Sequence, residues 1–293
     1  MKKYTVWLSG ISFFLFFMSA QVQAETLLGY SGGLDTLYTI DTIIATATPV
    51  GTDNSGICSE IELGGGVVYA ADTGLNTNLH SIDPLTGLVT GTLTMIFPPG
   101  GDVLTALEFV GGTLYAGLTT EGGGPTFLTT VNLTTGVVTM VGPTGVLSPL
   151  GGLAYDTVSG TMYACSAGGS AGQLFTINLA TGAATLVGPI TVGGNNVGTT
   201  ALEFGPSGTL YSLPNTGARL AGHLLSVNPA TGVAIDLGDL GIADMNALTT
   251  APIAAVVPPK AVPTLSEWGM IIMGLLLLFM AFKRMRKNRD LPA

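Results

Sequence analysis

The chain has 293 residues, 47% of them hydrophobic and only 9% charged, with a formal net charge of −9. From residue 25 to residue 262 sixteen acidic side chains face two basic ones, Arg219 and Lys260. A body of that sign repels nucleic acid and anionic lipid, which excludes both as its partners. Gly, Thr, Ala, Leu and Val dominate it, a composition that favours strands and turns over helices.

At the N-terminus, Lys2 and Lys3 precede an apolar run from Val6 to Met18, and Val22-Gln23-Ala24 offers small residues where a signal peptidase reads. Residues 1–24 are predicted to be a secretory signal peptide, cleaved after Ala24. A retained N-terminal anchor fits less well, because the run is short and the cleavage site is good.

Residues 26–50 give three short strands: Leu27-Leu-Gly-Tyr30, Leu37-Tyr-Thr-Ile-Asp41 and Thr46-Ala-Thr-Pro-Val50. A four-strand unit then repeats. In one copy it reads Thr105-Ala-Leu-Glu-Phe109, Gly112-Thr-Leu-Tyr-Ala116, Phe127-Leu-Thr-Thr-Val-Asn132 and Thr135-Gly-Val-Val-Thr-Met-Val-Gly142. Aligned first-strand positions 60, 106, 152, 201 and 247 are spaced by 46, 46, 49 and 46 residues. Four strands per mid-forties period predict β-propeller blades. The last two strands of each unit are joined by Asn or Asp followed four residues later by Gly, as in Asn132-Leu-Thr-Thr-Gly136. There Asn or Asp caps the turn and Gly takes the left-handed position, so these residues serve geometry.

The first unit lacks its first strand, and Met245-Asn-Ala-Leu-Thr-Thr250 supplies one at the far end. The expected fold is therefore all-β: a five-bladed β-propeller over residues 25–252, closed by pairing the C-terminal strand into the N-terminal blade. Closure removes exposed sheet edges. A β-solenoid competes, but its repeats are shorter and leave no strand to share between the ends.

Within this body the first strand carries a carboxylate at matching positions in three units: Glu62, Glu108 and Glu203. First strands line a propeller's channel, so these three are expected to converge. Three carboxylates suit a metal such as Ca²⁺, which takes several oxygens. They could also act as acid and base in glycoside hydrolysis, or bond backbone groups of the next blade. His80 and His223 fall at non-matching positions and read as ordinary strand or loop residues. The Gly runs at 64–66, 122–124 and 193–194 lack a following helix and read as loops. No catalytic motif is present, no cofactor is called for, and Ca²⁺ is the one ion the pattern suits. Cys58 and Cys165 allow one disulfide after export. They fall on blades that are not neighbours, so two separate thiols are the better expectation.

Residues 253–261 form a Pro-rich spacer. Beyond it stand Val262-Pro263-Thr264-Leu265-Ser266-Glu267-Trp268-Gly269, an uncharged run to Phe282, and a basic cluster of Lys283, Arg284, Arg286, Lys287 and Arg289. A helix over residues 268–282 spans only about 22 Å against a bilayer core of about 30 Å. Trp268 at one end and snorkelling Lys and Arg at the other make it a short transmembrane helix with a cytoplasmic C-terminus. A buried core helix seldom ends in so dense a basic cluster.

The motif of Val262, Pro263, Thr264, Leu265, Trp268 and Gly269, with its span and basic end, resembles the IPTL-CTERM sorting domain of Gram-negative bacteria, Val replacing Ile at the first position. The resemblance covers residues 262–293. It implies recognition by an exosortase-type membrane transpeptidase that cleaves near the motif, and a membrane-anchored precursor destined for the cell surface or the extracellular space. The repeats separately resemble bacterial extracellular propellers with Leu-Tyr-x-Ile-Asp-x-x-Thr-Gly units, which implies fold and little more. The expectation is an exported, surface-sorted propeller, not an enzyme, serving as a binding or structural module of the envelope or matrix. Its partner would be a polysaccharide or a surface protein. The alternative is a carbohydrate-active, glycosidase-like enzyme using the channel carboxylates.

Overall fold

A computed structural model describes residues 25–252, apart from 53–57, 73–77, 100, 121–122, 168–171 and 216, together with position 279. The signal peptide, spacer, sorting motif and transmembrane helix read from the sequence lie outside the described residues, save that one position. No helix among the described residues is long and apolar enough to cross a membrane.

Among the described residues, twenty-two strands follow one another. The first blade holds β1 (Thr26–Ser31), β2 (Thr36–Asp41) and β3 (Thr46–Thr52). The second holds β4 (Cys58–Gly64), β5 (Val67–Asp72), β6 (Asn78–Ile82) and β7 (Val89–Thr94). The third holds β8 (Val103–Val110), β9 (Thr113–Thr119), β10 (Phe127–Val131) and β11 (Val138–Pro143). The fourth holds β12 (Leu150–Asp156), β13 (Thr161–Ser166), β14 (Gln173–Ile177) and β15 (Ala184–Pro189). Two short strands come next, β16 (Thr191–Val192) and β17 (Asn195–Asn196). The fifth blade holds β18 (Thr199–Phe204), β19 (Leu210–Pro214), β20 (His223–Val227) and β21 (Val233–Asp239), and β22 (Met245–Thr250) ends the series.

β22 is hydrogen-bonded to β1, so the first sheet runs β22-β1-β2-β3, with Leu27 opposite Thr250. The innermost strands β22, β4, β8, β12 and β18 touch one another in a closed ring. Each blade is antiparallel, and alternate residues on both of its faces are apolar. Five buried clusters result, one in each seam. Leu28, Leu37 and Ile61 fill the seam between the first two blades, and Leu27, Ile40, Leu213 and Leu224 the seam between the fifth and the first. The other three seams are packed alike. Burying both faces explains how a chain with so few charges stays closed.

The 49-residue interval has a local cause. Its extra residues form the β16–β17 hairpin, turned by Gly193 and Gly194 at φ 59° and 78°. β16 pairs in parallel with β21 and covers that outer edge, a common defence against stray pairing.

The repeated turn behaves as its sequence requires. Asn132 Oδ1 accepts from the N–H groups of Thr134 (2.9 Å) and Thr135 (3.0 Å). Gly182 closes the fourth blade's copy at φ 79°. A Cβ there would stand 2.4 Å from the carbonyl oxygen of Gly142 in the preceding blade, so this Gly serves both the turn and the seam.

Candidate functional site

A register shift recurs in the first strand of every blade: at Cys58/Glu60, Leu104/Ala106, Leu150/Gly152 and Thr199/Ala201, and between β1 and β22 at Tyr30/Ser31. Such bulges re-aim side chains. Beyond the bulge, the strands present Glu62, Glu108, Ala154, Glu203 and Thr249 at equivalent positions around the ring. The alignment thus brings the three carboxylates together as expected: one oxygen of each lies within 4.8 Å of the others. They are 5%, 7% and 7% exposed.

Glu62 and Glu108 are placed by neighbouring blades. The Phe109 N–H donates to Glu62 Oε1 at 3.2 Å, and the Thr249 hydroxyl donates to Glu62 Oε2 at 2.9 Å. Thr249 in turn accepts from the Leu63 N–H at 2.8 Å. Glu108 accepts from the Tyr155 N–H. The expected bond to the next blade's backbone is therefore present for Glu62 and Glu108, but it uses only part of the acceptor capacity. Glu108 Oε2 and Glu203 Oε2 are buried without a hydrogen-bond partner.

Burial sets the electrostatics. It pushes Glu62 up to about 8, against the opposing pull of the Thr249 hydroxyl and the Phe109 and Leu63 amides. Burial also holds Glu108 well above the usual carboxylate range, helped by the charges of Glu62 and Glu203 and resisted by the Tyr155 amide. Glu203 is raised in the same way, by burial and then by Glu62. Three carboxylates this close and this dry cannot all stay ionised without a counter-charge.

The triad floors a cavity of about 370 Å³ whose wall includes Phe109, Tyr155, Asp156, Phe204, Pro206 and Ser207. Two features escaped the sequence reading. Thr249 completes the ring from the closing strand, where the carboxylate pattern gave no signal. Glu60 is a further buried carboxyl two residues before Glu62, raised by burial, and its charge adds to the burial that pushes the Cys165 thiol up to about 12. Cys165 is a free thiol, in line with the expectation of separate cysteines; the Cys58 side chain lies outside the described residues. His80 is buried between Asp72 (2.7 Å) and Thr92 (3.0 Å), and His223 pairs with Asp236 at 3.0 Å. Neither histidine belongs to a metal-capable cluster among the described residues.

The class of protein is now defined: a five-bladed β-propeller with an acidic, buried channel end. Its particular mark is at the other end of the sequence, where residues 260–287 match the IPTL-CTERM motif. That motif implies an exosortase-type sorting partner, export, and a membrane-anchored precursor processed for the cell surface. No curated protein matches the chain by sequence. Among solved structures, the body is similar to a chain of the "Crystal structure of Nidogen/Laminin Complex", at 15% identity and TM-score 0.50, over 78% of this chain and 85% of that one. It also matches the "Structure of Dos1 propeller", at 13% identity and TM-score 0.38, over 71% of this chain and 57% of that one. At such identities the likeness is one of fold alone.

Proposed function

We propose that this chain is a non-enzymatic binding module of the cell envelope or extracellular matrix. It is carried out by its signal peptide, handed over at its sorting motif, and meets its partner at the propeller face where the cavity opens. The carrying observation is that cavity, rimmed by Tyr155, Phe204 and Pro206 beside Asp156 and Ser207. A concave site whose lining mixes apolar, hydroxyl and carboxylate residues suits a polysaccharide or an exposed segment of a surface protein. The sorting motif supports the location.

The hydrolytic alternative asks for two carboxyl groups flanking a glycosidic bond. Here a third buried carboxylate shares the same small space, with one oxygen of each within 4.8 Å of the others, and Glu62 is tied to the Phe109 amide and the Thr249 hydroxyl, an arrangement that favours holding over cleaving. A glycan array probed with the full chain in detergent, beside a hydrolysis screen on the same glycans, tests the reading. Retention without product supports a binding module; released sugar overturns it.

A further inference from the structure

The geometry points to a divalent-cation site, best suited to Ca²⁺, formed by Glu62, Glu108 and Glu203 at the floor of the cavity. It stands independently of the partner proposed above.

The spacing of the three carboxylates fits the ion. Ca²⁺ sits about 2.3–2.6 Å from its oxygens, so two ligands on opposite sides of the ion lie about 4.8 Å apart. Three carboxylate oxygens that all fall within 4.8 Å of one another fit on that sphere. The corresponding diameter for Mg²⁺ is only about 4.1 Å, and Mg²⁺ tolerates distortion poorly.

Two oxygens of the triad are orphaned. Glu108 Oε2 and Glu203 Oε2 are buried with no donor, although an unsatisfied buried acceptor is costly. Their residues are more than nine-tenths buried and share the cavity floor with Glu62. The other groups at the site are already committed: the Phe109 amide and the Thr249 hydroxyl to Glu62, the Tyr155 amide to Glu108. None of the described basic side chains neutralises the cluster, since Arg219 bonds the Val192 carbonyl, His80 is paired with Asp72 and His223 with Asp236. A divalent ion supplies the missing counter-charge and the missing partner together.

The site is also largely preorganised. Glu62 is fixed by donors on both oxygens, and Glu108 by the Tyr155 amide, so two of the three ligands need little ordering on binding. Ala154 takes the fourth blade's place in the ring and offers no ligand of its own. Three carboxylates leave several of the six to eight coordination positions of Ca²⁺ open, and these face the cavity, where water fills them.

The test is thermal unfolding of the full chain in detergent, after chelator treatment and after addition of CaCl2, with MgCl2 in parallel. At about 100 times the dissociation constant, Ca²⁺ should raise Tm by about 5–10 °C, and Mg²⁺ by clearly less. The variant carrying Glu108→Gln and Glu203→Gln keeps the shape of both side chains. It should melt at or above the wild-type temperature in chelator and lose the Ca²⁺ response. If that variant does not fold, Glu203→Gln alone serves, with a response reduced at least tenfold in apparent affinity. Asp236→Asn, a surface change beside His223, should keep the whole shift. Terbium luminescence displaced by Ca²⁺ gives a reading that does not depend on unfolding. A wild-type chain indifferent to Ca²⁺, or a double variant that keeps the full response, overturns the assignment.

Discussion

Gly152→Ala tests how tightly the channel is built. Gly152 lies on β12, and a Cβ added there would stand 2.4 Å from the amide nitrogen of Leu202, 2.8 Å from the carbonyl carbon of Ala201 and 3.0 Å from its Cα. All three atoms belong to the backbone of β18 in the next blade, which has no rotamer to change. Comfortable contacts lie at about 3.5–4.0 Å, so the two innermost strands must part by roughly 1 Å. Overpacking by one methyl costs about 1–3 kcal/mol, and rigid neighbours place this case in the upper half. Replacing Gly by Ala in regular structure returns about 0.5–1 kcal/mol, leaving a net loss of about 2 kcal/mol. For a domain of this size each kcal/mol moves Tm by about 2–4 °C, so the variant should melt about 4–8 °C below wild type by circular dichroism. Gly91→Ala is the matched control. Its Cβ would meet only Ser81, at 3.8 and 3.9 Å, and its Tm should hold or rise slightly. A Gly152→Ala chain melting within about 1 °C of wild type would refute the close approach of these blades.

Thr249→Val removes the hydroxyl that bridges Leu63 and Glu62; losing both bonds at this part-buried point should cost about 1–3 kcal/mol in chemical denaturation. In metal-free buffer the buried triad makes stability depend on pH. Because Glu62 is raised from 4.5 to about 8, the folded state holds the proton more tightly. Its contribution is full below about pH 4.5 and is lost as pH rises through about 8. Tm should therefore fall across that window, and a rise would contradict the burial argument. Cys165 is fully buried with its thiol pushed up to about 12. In a Cys58→Ser background it should resist a thiol reagent until the chain is unfolded, then label with one equivalent. In the tail, Pro263→Ala with Thr264→Ala should leave an unprocessed precursor in the inner-membrane fraction, checked by fractionation and blotting.

The blade count, the ring closure and the convergence of Glu62, Glu108 and Glu203 were legible in the sequence because a repeat converts alignment into geometry. Residues at one phase of the period must share one layer of the channel. What breaks the period was not legible. Thr249 occupies the carboxylate phase with a different chemistry, and its role depends on an oxygen of Glu62 arriving from another blade. The recurrent bulges leave no compositional trace. The β16–β17 hairpin showed only as three extra residues in one interval. Gly152 read as one more small strand residue, since the backbone it touches lies some fifty residues away.

The closing strand has a consequence for how the molecule is made. Synthesis delivers β1 at the start and β22 at the end, yet the two form adjacent strands of one blade. Until Met245–Thr250 is available, β1 keeps a bare edge and the seam between the fifth and first blades lacks Met245 and Leu248. Contacts between chain ends are slow to form. Thr249, which steadies Glu62, comes within that last segment. The proposed cation pocket thus gains its last support only when the ring closes, and a chain halted before β22 presents Glu62 without Thr249: tight occupancy would certify a finished ring.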